Sequence, residues 1–261
     1  MRALVCISVA LVLSAGAGAR TASAQGTAAR PASQASEQAP RVRISINLGS
    51  QLSSIAFAGR TTQPVYLENA VVDTSYGVGS GLTIDGGVLF RVGAGFHIGV
   101  AVSSFSKRRD GSVAATIPHP FFFNKPRPID GTAPNLERNE LVTHLQAAYV
   151  LSPGKLDIAL SAGPSWFSVK QGLVTGVTFT EIYPYDTTTF AAASTTSVRA
   201  SSKVGFNVGL DIGVRLSKKV GVGALARFSQ TTVEFPVAGA ATNPTSRAGG
   251  VEAAAGLRLY F

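Results

Sequence analysis

The sequence predicts an all-β protein, built as a closed, antiparallel, up-and-down transmembrane β-barrel of about eight strands. Three observations predict this fold. Apolar and polar residues alternate with a period of two in eight separate runs between residues 41 and 261. Charged residues make up only 14% of the 261 residues, too few for an ordinary soluble surface. Short and long connections alternate along the chain, which places the long ones together at one end of the sheet.

The first 40 residues are expected to lie outside the barrel. Residues 1–24 have the features of a secretory signal peptide: Arg2, an apolar run over residues 3–17, and a small-residue cleavage site at 22–24. Residues 25–40 are rich in Ala, Ser, Gln and Pro, which predicts a disordered tether. The only cysteine, Cys6, lies in the leader, so the mature chain should have no disulfide. The net charge of +9 suits an anionic membrane surface, and the leader argues against nucleic acid.

The strand predictions are clearest over residues 204–216. Here an apolar series alternates with a small or polar one; the apolar members are Val204, Phe206, Val208, Leu210, Ile212, Val214 and Leu216. Similar runs cover residues 42–48, 82–90, 96–102, 141–151, 156–166, 220–228 and 251–261. Tight turns at 93–95, 152–155 and 217–219 separate long connections at 49–80, 104–138, 170–202 and 230–249. Three tight turns and four long loops require eight strands. Flanking residues should pair across each turn: Val92 with Phe96, Leu151 with Leu156, and Leu216 with Val220.

The two faces of these strands indicate lipid outside and a packed lumen inside. The apolar faces carry no charge. All charges fall on the opposite faces: Arg43, Asp85, Arg91, Glu140, Asp157, Asp211, Arg215, Arg227, Glu252 and Arg258. Eight strands enclose a space just wide enough for side chains. A closed barrel also satisfies every backbone hydrogen bond within lipid.

A buried ionic network is expected in this lumen. Counting from the turn at 217–219 places Asp211 opposite Leu225 and diagonal to Arg227, within reach of a long side chain. Counting back from Phe261 places Glu252 near the height of Arg227. The hypothesis is therefore that Arg227 bridges Asp211 and Glu252.

The last residues resemble the terminal strand of outer-membrane barrels. Leu257, Leu259 and Phe261 give an aromatic end preceded by apolar residues at every second position. With the leader and the loop pattern, residues 41–261 resemble the small eight-stranded barrels of the OmpA transmembrane domain and OmpX type. The resemblance implies insertion into the outer membrane of a Gram-negative cell. It also implies that the barrel-assembly machinery reads these three residues.

The long connections contain the candidate recognition residues. Phe121, Phe122 and Phe123 form one apolar segment, and Tyr183 and Tyr185 belong to another. Exposed aromatic patches mark partner surfaces, although loop-on-loop packing would explain them equally well. The basic run 107–109, with Lys125 and Arg127 across the same connection, could contact lipopolysaccharide phosphates or be a solvated loop.

Catalytic and metal chemistry have little support in the sequence. His97 and His144 are assigned to the lumen and His119 to a loop, with no nucleophile–base–acid spacing around any of them. No cluster of metal ligands is visible, and no cofactor is expected. The expected function is that of a non-enzymatic outer-membrane barrel with a filled lumen and a structural or surface-recognition role. A narrow pore for very small solutes and a lipid-modifying enzyme remain the alternatives.

Overall fold

A computed structural model describes residues 40–200, 202–236 and 243–261. The predicted signal peptide and nearly all of the predicted tether lie outside the described residues. The strands are β1 (Val42–Gln51), β2 (Ile55–Val65), β3 (Glu68–Val78), β4 (Gly81–Arg91), β5 (Phe96–Ile117), β6 (Arg127–Leu151), β7 (Leu156–Ile182), β8 (Thr187–Arg199), β9 (Lys203–Arg215), β10 (Val220–Glu234) and β11 (Thr245–Tyr260). In this part of the chain, no helix has the length and apolar character needed to cross a bilayer.

Eight of the strands close into a ring, as the sequence predicts. The order is β1-β4-β5-β6-β7-β9-β10-β11, and β11 pairs with β1 to complete the circle. Every pairing in the ring is antiparallel, with Ile46 opposite Leu257 at the closure between the first and last strands. Closure leaves the ring without a free strand edge, which is the condition for a sheet to cross a bilayer.

The tight turns join the ring strands where they are predicted. The Val92 N–H donates to the Phe96 carbonyl at 2.9 Å, and the Leu216 N–H donates to the Val220 carbonyl at 3.0 Å. At the turn over residues 152–155, Leu151 lies opposite Ile158, so the predicted pairing of Leu151 with Leu156 is wrong by two residues. The reason is a local turn in which the Leu156 N–H donates to the Pro153 carbonyl at 3.2 Å. A shift of two residues keeps the predicted face.

The outer face of the ring is apolar and ends in aromatic residues. Ile46, Ile98, Val208 and Leu257 are about half exposed on this face, whereas Asn47 on the inner face is buried. Aromatic side chains lie at the two ends of the apolar band: Phe90, Phe96, Tyr149 and Phe261 at the end with tight turns, and Trp166, Phe206 and Phe228 at the other. This is the arrangement expected for a band in hydrocarbon between two interfaces.

The long connections are mostly strands, which corrects their interpretation as loops. β2, β3 and β8, with the far halves of β5, β6 and β7, continue the sheet beyond the apolar band; we call this part the distal extension. Its inner face is apolar. The buried residues are Phe57, Val65, Ala70, Val72, Tyr76, Val78, Val113, Ala115, Ile117, Ile129, Ala133, Leu136, Leu173, Val174, Val177, Val233 and Phe235. In the distal extension the apolar side chains thus face inward, whereas in the membrane part they face outward. An inward apolar face is what a sheet surrounded by water requires.

A β-bulge in β6 lies between the membrane part of the strand and its part in the distal extension. Arg109 of β5 lies opposite Leu136, whereas Gly111 lies opposite Ala133, so β6 contains one extra residue. Asn135 adopts φ 57° there, and its N–H donates to the Asp110 carboxylate at 2.9 Å. Such a conformation is accessible to Asn because its short side chain tolerates the left-handed region. Along the chain, the inward-facing residues of β6 consequently change from odd numbers, such as Ile129 and Ala133, to even numbers, such as Leu136 and Glu140.

Candidate functional site

The lumen contains the ionic network, with one partner different from the prediction. Arg227 Nη1 lies 3.6 Å from Glu252 Oε2, and the two residues are directly opposite on β10 and β11. The second carboxylate on this guanidinium is Asp85, whose Oδ2 lies 2.6 Å away. Asp85 comes from β4, across the lumen, and also accepts a 2.8 Å hydrogen bond from Asn47.

Asp211 belongs to a separate ion cluster, so its expected bridge to Arg227 is replaced. It accepts from Arg43, and its Oδ2 lies 2.9 Å from Arg258 Nη2. The register is as predicted, with Asp211 opposite Leu225. Arg43 of β1 and Arg258 of β11 reach Asp211 of β9 because the ring is narrow, so side chains from strands that are not neighbours meet inside the lumen. A count along neighbouring strands cannot show such cross-lumen contacts.

Ion pairs of this kind fill the lumen in balanced number. Among the described residues these ion pairs join five arginines with five carboxylates: Arg43, Arg138, Arg215, Arg227 and Arg258 with Asp85, Glu140, Asp157, Asp211 and Glu252. Arg91, also predicted on the inner face, lies exposed at the end with the tight turns. The cavity beside Arg227 is about 30 Å³, about the volume of one water molecule in the liquid. The lumen is therefore packed at this level, as predicted for eight strands.

A serine–histidine arrangement that sequence spacing did not reveal lies inside the barrel. His144 Nε2 is 3.0 Å from Ser103 Oγ, and its Nδ1 is 2.8 Å from Ser165 Oγ. Both His144 and Ser165 are fully buried. A nucleophile and its base must reach a substrate. The enclosed geometry instead satisfies polar groups within the lumen.

The aromatic residues singled out in the sequence meet at the far end of the distal extension. Three connections contribute: 66–67 between β2 and β3, 118–126 between β5 and β6, and 183–186 between β7 and β8. The Phe121 and Tyr185 rings are 5.3 Å apart, and Tyr183 and Tyr185 are 5.9 Å apart. We call this surface the apex; it comprises Tyr66, Leu67, Phe121, Phe122, Phe123, Tyr183 and Tyr185.

The apex is both packed and exposed. Ring contacts join the predicted segments, as the loop-on-loop interpretation requires. Much of the apolar surface nevertheless faces solvent: Phe121 is 66% exposed, Phe123 67% and Tyr183 83%. Leu67, which the sequence analysis did not single out, is 85% exposed on the adjoining tip. Packing therefore accounts for only part of this aromatic surface.

A polar cluster beneath the apex fixes the three tips relative to one another. Arg127 is buried and binds the Glu181 carboxylate, donating to Oε1 at 2.8 Å and also to Oε2. Tyr66 Oη donates to the same Oε1 at 2.6 Å. The hydrogen bond from Arg127 lowers the pKa of Glu181, which stays ionised. Burial, followed by this bond to Glu181, raises the pKa of Tyr66.

His119 and Lys125 hold the phenylalanine segment in place. His119 is buried, and its Nδ1 accepts from the N–H groups of Phe121 at 3.1 Å and Phe122 at 3.2 Å. Lys125 Nζ lies 2.5 Å from Asp186 and 5.3 Å from the centre of the Phe122 ring. Lys125 and Arg127 are thus engaged in contacts that support the apex, at the far end of the distal extension, which corrects their grouping with residues 107–109 as a phosphate surface.

The remaining predicted site residues lie on the closing strand. Leu257 is half exposed on the apolar outer face, and Phe261 is 62% exposed at the end with the tight turns. Leu259 shares their face and lies opposite Ile44. The Phe261 N–H donates to the Val42 carbonyl at 2.9 Å, so these residues stand at the closure of the ring. No group of three potential metal ligands occurs among the described residues.

The closed ring, its apolar outer band and its filled polar lumen define a transmembrane β-barrel of the outer-membrane type. No family model matches the chain, and no curated protein sequence matches it. Solved structures with a similar fold include Neisserial surface protein A, at 12% identity over 86% of this chain and all of that one, with a TM-score of 0.42. The outer-membrane protease OmpT from Escherichia coli has 11% identity over 84% and 96%, with a TM-score of 0.43.

A third solved structure is the attachment invasion locus protein Ail of Yersinia pestis, in complex with the heparin analogue sucrose octasulfate. It has 8% identity over 84% of this chain and 99% of that one, with a TM-score of 0.36. These three similarities concern the fold, and they leave open what this chain binds or does.

Proposed function

We propose that this protein is a surface-recognition barrel of the outer membrane, and that it binds an extracellular partner through the apex. The observation that carries the proposal is the convergence of exposed aromatic side chains from three chain segments above the Arg127–Glu181 ion pair. Aromatic residues on a rigid support bind with little loss of conformational entropy. A patch of this kind on the part furthest from the membrane suits contact with a partner.

Transport and catalysis are weaker alternatives. The lumen is occupied by ion pairs, and beyond it lies the apolar interior of the distal extension. A non-catalytic role is part of the proposal, because the Ser103–His144 pair is enclosed. The proposal also includes export by the leader and recognition of Leu257, Leu259 and Phe261 by the barrel-assembly machinery.

An adherence assay tests the recognition role. Escherichia coli cells that display the protein would be applied to surfaces coated with fibronectin, laminin or mucin. We expect adherence above that of the empty strain, and a loss of at least about tenfold for Phe121→Ser combined with Tyr183→Ser, since hot-spot aromatic residues contribute about 1 kcal/mol or more each. Arg60→Ser is the control, because Arg60 is an exposed residue within β2 away from the apex.

Two results would contradict the recognition role. One is wild-type adherence no greater than that of the empty strain on every surface. The other is an unchanged adherence of the double variant at equal surface display, which would remove the apex from the function.

A further inference from the structure

The balance of basic and acidic residues changes with distance from the membrane along the barrel axis. The surface in question lies next to the apolar band and is separate from the apex. We define the collar as the charged residues that lie outside the lumen on the ring strands, within eight residues beyond the last outward apolar residue on the side of the distal extension. We include Arg199 of β8, because it pairs with Lys170 of β7. In the described chain its basic members are Lys107, Arg108, Arg109, Lys170, Arg199, Lys203 and Arg247. Its acidic members are Asp110, Glu137 and Glu234.

The balance reverses beyond the collar. Outside the collar, the described distal extension has three basic residues, Arg60, Lys125 and Arg127, and five acidic ones, Glu68, Asp73, Asp130, Glu181 and Asp186. The ion pairs of the lumen are balanced in charge, as described above. The excess of positive charge on this side of the membrane is therefore confined to a belt next to the apolar band.

The collar is most organised on the flank formed by β5, β6, β7 and β8. Glu137 lies at its centre, with Oε2 4.0 Å from Arg108 Nη2 and Oε1 3.6 Å from Lys170 Nζ. Ser197 Oγ donates to the same carboxylate at 2.9 Å, and this bond, with Lys170 and Arg108, lowers the pKa of Glu137. Arg199 stands opposite Lys170 across the β7–β8 ladder. Two cations thus approach the Glu137 carboxylate and the third, Arg199, lies beside Lys170 on the neighbouring strand, so the four side chains carry a net charge of +2.

An apolar wall lies directly below this cluster. Leu141, four residues after Glu137 on β6, is 52% exposed, and Trp166, four residues before Lys170 on β7, is 45% exposed. A molecule held by the cations would therefore extend its apolar part down the same flank. Arg108 keeps 71% of its side chain exposed and Lys170 keeps 44%, so their charges remain available to such a molecule.

We propose that Arg108, Lys170 and Arg199 form a binding site for a phosphorylated glycolipid headgroup of the outer leaflet. Phosphate is the matching group, because guanidinium and ammonium donors bind its oxygens by charge-assisted hydrogen bonds. The lipid source follows from the position, since phosphates of a membrane lipid lie immediately above its hydrocarbon. Glu137 orients two of the cations and is a positioning residue.

Fluorescence of the single tryptophan gives a direct test, because Trp166 lies beside the site. The folded protein in phosphatidylcholine nanodiscs would be titrated with lipid A carrying both phosphates and, separately, with dephosphorylated lipid A. We expect saturable binding of the phosphorylated lipid only. Replacement of Arg108, Lys170 and Arg199 by Ser should weaken binding about tenfold, because three exposed ion pairs with the phosphates are lost and each contributes a small part of the affinity.

The control removes the same charge at the other end of the barrel, with Lys155, Lys218 and Lys219 each replaced by Ser. Equal loss in the control would mean that net charge, and not this site, governs binding. Equal affinity for dephosphorylated lipid A would overturn the phosphate assignment. Competition by inorganic phosphate or sucrose octasulfate at the concentration of the lipid would overturn the lipid assignment. If the triple variant does not fold, Arg199→Ser alone serves, since the exposed Arg199 side chain donates a 3.3 Å hydrogen bond to Ser168 Oγ and its loss should leave the sheet intact. Unchanged affinity of this variant would overturn the site.

Discussion

Arg227 shows how the lumen uses charge. Its side chain is almost fully buried, and it is shared between Asp85 at 2.6 Å and Glu252 at 3.6 Å. Arg227 Nε and Glu252 Oε1 have no hydrogen-bond partner, so the network is only partly satisfied. Buried ion pairs seldom add net stability, because desolvation offsets the attraction between the charges. The greater effect is negative: loss of one member leaves the others buried without a countercharge.

The first prediction concerns this asymmetry. Arg227→Met should lower the free energy of unfolding by about 3–5 kcal/mol, because Asp85 and Glu252 remain as buried charges. Arg227→Met combined with Asp85→Asn and Glu252→Gln should be less destabilised, since no net charge is left. Urea unfolding in detergent micelles, followed by tryptophan fluorescence, measures both. A triple variant as unstable as the single one would show that the network contributes through its contacts and not through its charge balance.

The lumen also shows which contacts the sequence can predict. Arg227 and Glu252 were expected together because both positions follow from strand register. Asp85 was missed because it approaches Arg227 from β4, across the ring. Alternation assigns a residue to a face and a turn fixes its neighbours, but the partner across a closed cylinder depends on strand tilt and closure, which leave no mark on local sequence.

At the scale of elements, β9 has the clearest division between its faces. Val208 is 53% exposed on the outer face, in the middle of the strand and opposite Phe228 and Ala162 of its two neighbours. Asn207 is buried on the inner face and donates to the Gly163 carbonyl at 2.9 Å. Exposure of so many apolar side chains would be unfavourable in water, so the outer face requires lipid.

The second prediction tests the solvent of that face. Val208→Arg should destabilise the folded barrel by about 1–3 kcal/mol in lipid, because it places a charge inside the apolar band, between the midplane and the interface marked by Phe206 and Phe228. Ser112→Arg is the matched control, since Ser112 is exposed on the outer face of the distal extension, and it should change stability by less than about 0.5 kcal/mol. Reversible unfolding in phosphatidylcholine vesicles gives both values. Similar tolerance at the two positions would mean that Val208 does not face hydrocarbon.

The distal extension was predicted as loops for a physical reason. Residues 104–138 alternate as strands do, but their apolar residues face inward whereas those of the membrane part face outward. The bulge at Asn135 also changes which residues of β6 face the interior. A search for one uninterrupted alternation of apolar and polar residues therefore ends each strand near the membrane boundary. The five aromatic residues were identified by composition. Their convergence at the apex could not be predicted, because it depends on strand pairings between segments that are far apart in the chain.

At the scale of the whole molecule, the interior is closed in two successive layers. The first is the set of ion pairs around Arg227 and Asp211. The second is the apolar interior of the distal extension, which begins with Phe167 next to the buried Ser165 and continues to Val233 and Phe235. An ion would have to pass both. The second layer is lined mainly by apolar side chains, which cannot replace the hydration of an ion, and its few polar side chains near the membrane, such as Arg138, Glu140 and Gln171, are bound to one another.

The last prediction follows from this arrangement in series. The wild-type protein should show no stepwise conductance in planar bilayers. Replacement of Asp85, Arg227 and Glu252 by Ser should still give none, because the apolar layer remains intact. Addition of Phe167→Ser to that triple variant should produce measurable conductance, since Phe167 is 1% exposed where the two layers meet. Conductance by the triple variant alone would show that the distal interior is permeable, and the narrow-pore alternative would then regain support.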